Sequence, residues 1–568
     1  MQKTSLHQGY GRRTCVTCGS PFAIHPDEEA FLQKMTWTFG DTKVALPLPD
    51  TCPVCRSQLR VAHRNERYLY RTPAANTGKE TITLFAPEPL WGPAYKVLSQ
   101  EDWRSDGMDP MSYGRDFDFS RPFFEQWSVL HKSVPRMALT SLGNENSDFS
   151  TGTGYCKNCY LINSSEYCED CYYGKLFQKC KTSADCSYLF DSELCYQCFS
   201  VYHSYGCQYV NFSQNCQDCF FSSNLRGCKN CCLCTNLDHK EYHFLNQPLS
   251  REDYEQRLKE FRGSFERTEQ MRTLLAKQMT SMIRKYTNIV NSEDCTGDYI
   301  ENSKSCIDCY DVSDGQDCRN VFVGVQPKDL YDCSNMYIKP ELCYQILGVI
   351  ETFHSAYCIY VFHSQNMLYC EYCFSCNDCF GCNGLTRKKY CIFNKQYSKE
   401  EYEILVPKII EKMKQDGEFG QFFPARTSPF GYNESVAQEY YPLTKEEALK
   451  RGFYWREMSA KGAKPQAVTL PDRIENAKDD VLQALLACSS CKRNYRIIPQ
   501  ELTFYRNNRI PLPRQCPDCR YDERLALRNP RRLWQRSCMK CKKEIETTYG
   551  PERLETVYCE QCYLKTVY

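Results

Sequence analysis

Tyr155-Cys156-Lys157-Asn158-Cys159-Tyr160-Leu161, followed by Tyr167-Cys168-Glu169-Asp170-Cys171-Tyr172-Tyr173, sets the reading of the whole chain. From Tyr155 to Asn246 there are fifteen cysteines: Cys156, Cys159, Cys168, Cys171, Cys180, Cys186, Cys195, Cys198, Cys207, Cys216, Cys219, Cys228, Cys231, Cys232 and Cys234. All but Cys232 share one phase of three residues, and an aromatic or aliphatic residue often follows the cysteine. Short strands joined by regular corners would give this pattern. A short repeat cannot bury its apolar face alone, so neighbours must stack, and the expected fold is a parallel β-solenoid. Independent zinc knuckles would need no shared phase. A period of five does not fit and the glycines of hexapeptide coils are largely missing, so the solenoid class stays open.

The block is then duplicated. Cys306-x-x-Cys309-Tyr310 with Cys318 repeats Cys156-x-x-Cys159-Tyr160 with Cys168, and Glu193-Leu-Cys195-Tyr-Gln197 returns as Glu341-Leu-Cys343-Tyr-Gln345. Tyr242-His-Phe-Leu-Asn246 corresponds to Tyr390-Cys-Ile-Phe-Asn394, and the offset stays between 148 and 151. His203 and His354 fall at equivalent positions and read as rung packing rather than catalysis.

With 568 residues the chain holds several domains. Its 42% hydrophobic and 14% aromatic content is ample for cores. Forty cysteines in a short secreted chain would mean disulfides, but Met1 to Arg13 has no apolar signal core, and no run approaches the ~18 apolar residues of a membrane span. The expectation is a cytoplasmic protein with reduced thiols, which there serve as metal ligands or small buried apolar residues. The overall charge of +1 conceals an asymmetry: 14 Asp+Glu against 8 Lys+Arg in 292–396, and 17 Lys+Arg against 9 Asp+Glu in 488–568. The basic end is a candidate polyanion-binding face.

Three sets of paired CxxC doublets flank the repeats. Cys15, Cys18, Cys52 and Cys55 form the first; Cys488, Cys491, Cys516 and Cys519 the second; Cys538, Cys541, Cys559 and Cys562 the third. Two tight turns, each offering thiolates at i and i+3, complete the tetrahedral shell that structural zinc prefers, so three zinc sites are expected. Iron–sulfur clusters share this spacing and stay open.

The second set copies the first. Phe22, Ile24, Glu28 and Phe31 correspond to Tyr495, Ile497, Glu501 and Phe504; Arg56, Arg60 and Arg64 correspond to Arg520, Arg524 and Arg528. Nine extra residues between Phe31 and Pro47 suit a longer hairpin. Cys-x-x-Cys, an aromatic-x-Ile, Glu-x-x-Phe and Leu-Pro-x-x-Cys-Pro-x-Cys-Arg resemble the treble-clef "probable zinc-ribbon" domain of large uncharacterised bacterial proteins. That resemblance covers about a quarter of the chain and implies that all twelve cysteines bind metal. It names no reaction.

The expected fold class is therefore mainly β: two Cys-rich parallel β-solenoid-like blocks with helical caps and linkers, flanked by treble-clef zinc ribbons. The expected boundaries are 10–75 first ribbon, 76–150 acidic and aromatic linker, 151–248 first block, 249–291 helical cap, 292–396 second block, 397–487 helices and linker, 488–536 second ribbon and 537–568 third ribbon. Ser250 and Ser398 read as helix caps, with apolar spacing after Ser250 running to about Ile289, and a further helix is expected from Asp472 through Leu486. Asp106, Asp109, Asp116 and Asp118 read either as a hard-cation site or as part of a loop docking its aromatic rings onto the first coil, the second being favoured for want of a glycine-centred ligand loop.

After the second ribbon, Arg520, Arg524, Arg528, Arg531, Arg532 and Arg536 recur mostly every three or four residues. On a helix they make a stripe able to track phosphates, with Tyr521 and Trp534 near for stacking; the alternative is a solvated face. No phosphate loop, dinucleotide fingerprint, HExxH or Gly-x-Ser-x-Gly elbow is present, so no enzyme is expected and a small-molecule substrate is not. The leading expectation is a non-catalytic zinc protein whose solenoid scaffold presents basic ribbons to nucleic acid, either RNA (including the ribosome) or DNA. The alternatives are a protein-interaction scaffold with purely structural zinc, and a metal-handling or redox protein using thiols such as Cys370, Cys373, Cys376, Cys379 and Cys382.

Overall fold

The computed structural model describes residues 11–325, 330–338, 340–457, 464–466 and 468–567. Residues 1–10, which carry most of the stretch read for a signal core, lie outside the described residues. The chain forms two compact units, one of Met1–Ala138, Thr287–Arg456 and Arg531–Leu533, the other of Leu139–Tyr286, Glu457–Pro530 and Trp534–Tyr568. The first ribbon thus shares a unit with the second repeat block, and the later ribbons share one with the first block.

In the first block the chain returns to pair with itself, in parallel, every twelve residues. Thr151, Asn163, Lys175, Ser187, Phe199 and Asn211 form one ladder. Lys157, Glu169, Lys181, Glu193 and Tyr205 form a second, and Tyr160, Tyr172, Ala184, Tyr196 and Gln208 a third. From Tyr155 to Leu245 every third residue has φ between 43° and 66°. This left-handed corner follows each two extended residues, so side chains three apart all point inward, whereas an unbroken strand would send them to opposite faces. Only Gly206 and Gly227 supply the corner without a side chain; Asn, Asp, Tyr, Leu and others fill the rest, at a cost of about 1 kcal/mol each. Ladder bonds offset that cost: the corner amides of Tyr167, Asp170 and Tyr173 donate to Gly154, Lys157 and Tyr160 carbonyls at 2.9–3.0 Å.

Four inward residues per turn leave room mainly for small side chains. Cys180, Ser183, Cys186 and Leu189 make one layer; Ser192, Cys195, Cys198 and Val201 make the next, and all are buried. Their polar hydrogens are used. Cys198 Sγ donates to the Tyr196 and Cys207 carbonyls at 3.5 and 3.3 Å, and Ser183 Oγ donates to Lys181 O at 2.8 Å while accepting from Cys195 N. Cys232, out of phase, lies on a ladder strand and packs with Phe220, Phe221 and Tyr254 on the capping side.

The second block keeps the same step over most of its length, as in Leu347↔Ile359↔Glu371, but its first coil is one residue shorter, with Ile289 paired to Ile300 and Glu293 to Lys304, and Ser334 pairs with Leu347 thirteen residues on, with an irregularity between Met336 and Ile338. One extra residue there moves the inward phase from Cys333 to Cys343, Ile346 and Val349. It also accounts for part of the drift in the offset between copies.

Each block ends alike. A short antiparallel return, Gln247–Pro248 or Lys395–Gln396, leads to a serine-capped helix, Arg251–Phe261 or Lys399–Gln415. The first helix does not run on to Ile289. Gly263 (φ 84°) breaks it, a second helix spans Phe265–Ser281, and Ile289 lies in a strand. The expected helix from Asp472 to Leu486 is also absent: two short 3-10 turns, Ile474–Asn476 and Asp479–Leu482, replace it. Asp472 instead accepts from Glu266 N and Ser264 Oγ at 2.8 and 2.7 Å, capping Phe265–Ser281. No helix among the described residues is long and apolar enough to cross a membrane.

The acidic, aromatic segment docks on the second block, not the first. Trp103 meets Phe374 edge-on, and Phe123 packs on Tyr369, Phe380 and Phe393. Its acids do not converge: Asp116 pairs with Lys395 and Tyr397, Asp118 accepts from Ser120, and Asp109 caps Met111. Behind the rings runs a buried polar chain. Tyr95 Oη lies 2.9 Å from His131 Nε2, His131 Nδ1 lies 2.7 Å from Glu371 Oε2, and Arg136 and Asn383 donate to the same carboxylate at 3.0 and 2.7 Å. The equivalent repeat histidines are placed as rungs: His354 stacks on Trp37 and bonds Asn366, and His203 lies 3.9 Å from Asp191.

Two predictions follow from this packing. An added Cβ at Gly174 would lie 2.2 Å from the Phe177 ring, which fills the space beside it, so Gly174→Ala destabilises by about 1–3 kcal/mol in chemical denaturation, and adding Phe177→Leu restores part of the loss. Burial pushes His131 down to about 3, with Arg136 adding to the effect, and His63 down to about 4. Both stay neutral when folded and take a proton on unfolding. Their contribution is therefore full above about 6.5 and is lost at roughly 1.4 kcal/mol per pH unit for each group as pH falls toward 4. His63→Phe should flatten the measured slope of stability between pH 6.5 and 4.5 by about that amount.

Candidate metal centres and the arginines behind them

All three expected cysteine sets converge. In each, the four Sγ atoms lie within 4.8 Å of one another, and no other group of ligand residues does so among the described residues. The cross-doublet spacings Cys18–Cys52, Cys491–Cys516 and Cys541–Cys559 are 3.8, 3.7 and 3.7 Å. Edges of about 3.8 Å are those of a tetrahedron with metal–sulfur bonds of about 2.3 Å. These spacings are far too long for disulfides.

The same local device builds each centre. Between the two cysteines of the first doublet and the residue after them the chain makes a tight knuckle: Gly19, Lys492 and Lys542 take φ of 71°, 63° and 65° and donate to Cys15, Cys488 and Cys538 carbonyls. The second doublet opens a helix, with Cys52 and Cys516 at the caps of Pro53–Val61 and Pro517–Leu525, and Cys559 just before Glu560–Val567. Thiolates therefore sit at the positive end of a helix dipole. In all three, the third cysteine's amide donates to the first cysteine's sulfur at 3.2–3.3 Å: Cys52 to Cys15, Cys516 to Cys488, Cys559 to Cys538. Burial opposes ionisation of Cys491, but the Arg493 guanidinium and amide, with Cys519 and Cys488, together outweigh it and draw the thiol down to about 6. The donor set fits a divalent metal with a preference for thiolate, zinc foremost. The repeat thiols, Cys370 to Cys382 included, bond to backbone carbonyls instead.

The arginine stripe is not a solvent face. Arg520 is 2% and Arg524 3% exposed, and both reach Asp185, itself fully buried, in the first block. Arg520 Nε lies 2.9 Å from Asp185 Oδ2, Arg520 Nη2 3.3 Å from Glu501 Oε1, and Arg524 Nη1 donates to Gln197 Oε1 at 3.1 Å. Tyr173 Oη donates to Glu501 at 3.0 Å. The helix ends at Leu525, so the later arginines never join the stripe. Arg528 lies over the Tyr188 ring, Arg531 pairs with Asp311 at 3.1 Å, and Arg536, in the strand Trp534–Ser537, reaches Gly550 O. Tyr521 is buried and Arg532 exposed.

The first ribbon repeats this contact on the second block. Arg56 pairs with buried Asp332 and donates to Tyr331 Oη at 3.2 Å; Arg60 Nη2 lies 3.8 Å from Asp332 Oδ1. Glu28 caps the helix Pro26–Lys34 beside Tyr331, as Glu501 caps Pro499–Asn508 beside Tyr173. The extra residues of this copy form the hairpin Trp37–Phe39/Thr42–Val44. Where the first two ribbons carry arginine after the fourth ligand, the third carries Tyr563, whose hydroxyl accepts from Asn224 at 2.6 Å.

Sequence reasoning named the arginines but missed their acceptors. A weak signal was present: Asp185-Cys186 and Asp332-Cys333 recur 147 residues apart, one short of the range that relates the other matched positions. Comparisons with family models, with curated proteins and with solved structures gave no match.

Removing one partner of such a buried pair leaves the other charge stranded, so Asp185→Ala should cost about 3–5 kcal/mol in denaturant titration. Asp185→Leu combined with Arg520→Met should cost less than either single change.

Proposed function

We propose that the protein is a non-catalytic, zinc-stabilised interaction scaffold: two β-solenoid-like repeat blocks, the first carrying two treble-clef ribbons of the "probable zinc-ribbon" kind and the second carrying one, with the reduced thiols of a cytoplasmic protein. One observation carries the reading. In the first two ribbons the residue after the fourth ligand, Arg56 after Cys55 and Arg520 after Cys519, is the one that docks into a buried aspartate of a repeat block. A metal holding the first helical turn thereby fixes the docking side chain, and its chemistry is structural: thiolate coordination supplies folding free energy to modules with little core of their own. Inward-facing arginines shift the weight from a nucleic-acid partner to a protein one. Ligands of a repeat scaffold commonly use its extended faces.

A nucleic-acid reading keeps a narrower basis in Lys540, Lys542, Lys543 and Lys565, all exposed on the third ribbon. It predicts that full-length protein binds RNA or DNA with a steep loss of affinity as salt rises, a slope that Lys542→Glu with Lys543→Glu flattens. A pull-down that survives nuclease treatment favours the protein partner.

The primary test is elemental analysis of protein purified natively under reducing conditions without added zinc. Close to three zinc ions per chain is expected from the three four-cysteine groups, falling by one in Cys519→Ser. A much larger content, or iron with visible colour, would move metal handling by the repeat thiols to the front.

A further inference from the structure

The acidic, aromatic segment encloses a cleft that the scaffold reading does not use. It has a volume of about 560 Å³ and is lined by Lys96, Ser112, Tyr113, Arg115, Lys132 and Ser133, with backbone and small residues completing the wall. Three cations face it and no carboxylate does. The nearby acids are engaged elsewhere: Asp116 with Lys395 and Tyr397, Asp109 with the Met111 amide, Glu125 with Arg121. An unbalanced group of cations in a partly desolvated wall is costly unless an anion completes it.

The cations are also held in place. Lys132 is buried, its Nζ donating to Pro93 O at 3.1 Å and lying 4.1 and 3.6 Å from the centres of the Trp91 and Tyr95 rings. Arg115 is tied by its amide to Phe393 O, its Nε is buried without a hydrogen-bond partner, and burial lowers its guanidinium. Lys96, exposed at the mouth, lies 5.8 Å from the centre of the Tyr113 ring, and its carbonyl accepts from Arg136 N at 2.7 Å. Gly114 belongs to the same wall: an added Cβ would lie 2.6 Å from Asn394 O, so the loop presses directly on the last turn of the second block.

We propose that this cleft is a binding site for a small phosphate-bearing ligand, with Arg115 and Lys96 as its principal contacts and Lys132 at its floor. Guanidinium and ammonium donors in fixed positions suit the several oxygens of a phosphoryl group, and the space beyond accommodates an attached organic moiety. Burial, together with the neighbouring charge of Arg136, draws Lys132 down to about 7. The other groups about it, Tyr95 and His131, are held neutral by burial. Lys132 therefore gains its charge as pH falls through neutrality, and anion affinity rises with it.

The test is isothermal titration of the full-length protein with inorganic phosphate, adenosine monophosphate and succinate, and with sulfate, whose charge is constant between pH 6 and 8. The expected result is saturable phosphate or adenosine monophosphate binding, at least tenfold weaker in Arg115→Gln with Lys96→Gln and unchanged in Lys408→Gln, an exposed lysine outside the cleft, and sulfate binding several-fold tighter at pH 6 than at pH 8. Lys96→Gln alone removes only an exposed group, which keeps the test valid if the Arg115 change unfolds the chain. Tighter binding of adenosine monophosphate than of phosphate identifies the ligand as an organic phosphate; equal binding identifies free phosphate. No binding at either pH, binding equal in the variants, or succinate bound as tightly as phosphate would overturn the proposal.

Discussion

The left-handed corner at every third residue is the constraint on which the structure depends. It turns a strand whose side chains would alternate into one whose every third side chain points inward, and in doing so fixes the twelve-residue return and the size of the interior. The interior then has room mainly for small side chains, with a larger one such as Phe177, Leu189 or Val201 at intervals. Cysteine and serine suit it because each is small and brings one hydrogen to donate to a carbonyl two residues back. The abundance of cysteine in the blocks is thus a consequence of geometry, while in the ribbons the cysteines gather in fours with the spacing of a metal-ligand set. One residue type serves two unrelated physical ends.

Beyond the corners, the two units rest on a buried carboxylate each. Asp185 and Asp332 are fully inaccessible, and each faces two arginines from a ribbon helix. Such pairs contribute little net stability compared with apolar packing, because desolvation offsets most of the attraction. Their value lies in discrimination: a ribbon placed one turn off would strand a charge. This shared arrangement adds register to the apolar contact each of the first two ribbons makes with its block, where Phe31, Trp37 and Phe39 share a core with Tyr331 and Tyr344, and Phe504, Tyr505 and Leu512 share one with Tyr173 and Tyr196.

Much of this was legible in the sequence and some was not. The phase of three, the duplication, the three converging four-cysteine groups and the copied ribbon could all be read, because each depends on residue identity at fixed spacing. Regular corners were expected, but their left-handed conformation could not be read, since Tyr173, Leu176 and Asp185 adopt a conformation usually assigned to glycine. Asp472 to Leu486 read as a helix on apolar spacing alone, but Asp472 caps a different helix and the apolar residues pack from 3-10 turns. The arginines after Cys519 read as a phosphate track because periodicity cannot distinguish a face turned to water from one turned to a buried aspartate. The cleft of Lys96, Arg115 and Lys132 had no signal, its members being spread over three elements.

Chain order gives the ribbon contacts a timetable. Arg56 precedes its partner Asp332 by 276 residues. At the roughly 5–20 residues per second of synthesis, the first ribbon is complete for about 14–55 s before the carboxylate it docks against has been made. During that interval two arginines and a capping glutamate face water, and the module has only its own elements, among them two helices, a hairpin and the four-cysteine group, to hold its shape. The first ribbon is therefore the part of the molecule that waits longest, while the chain is being born, for the block it packs against.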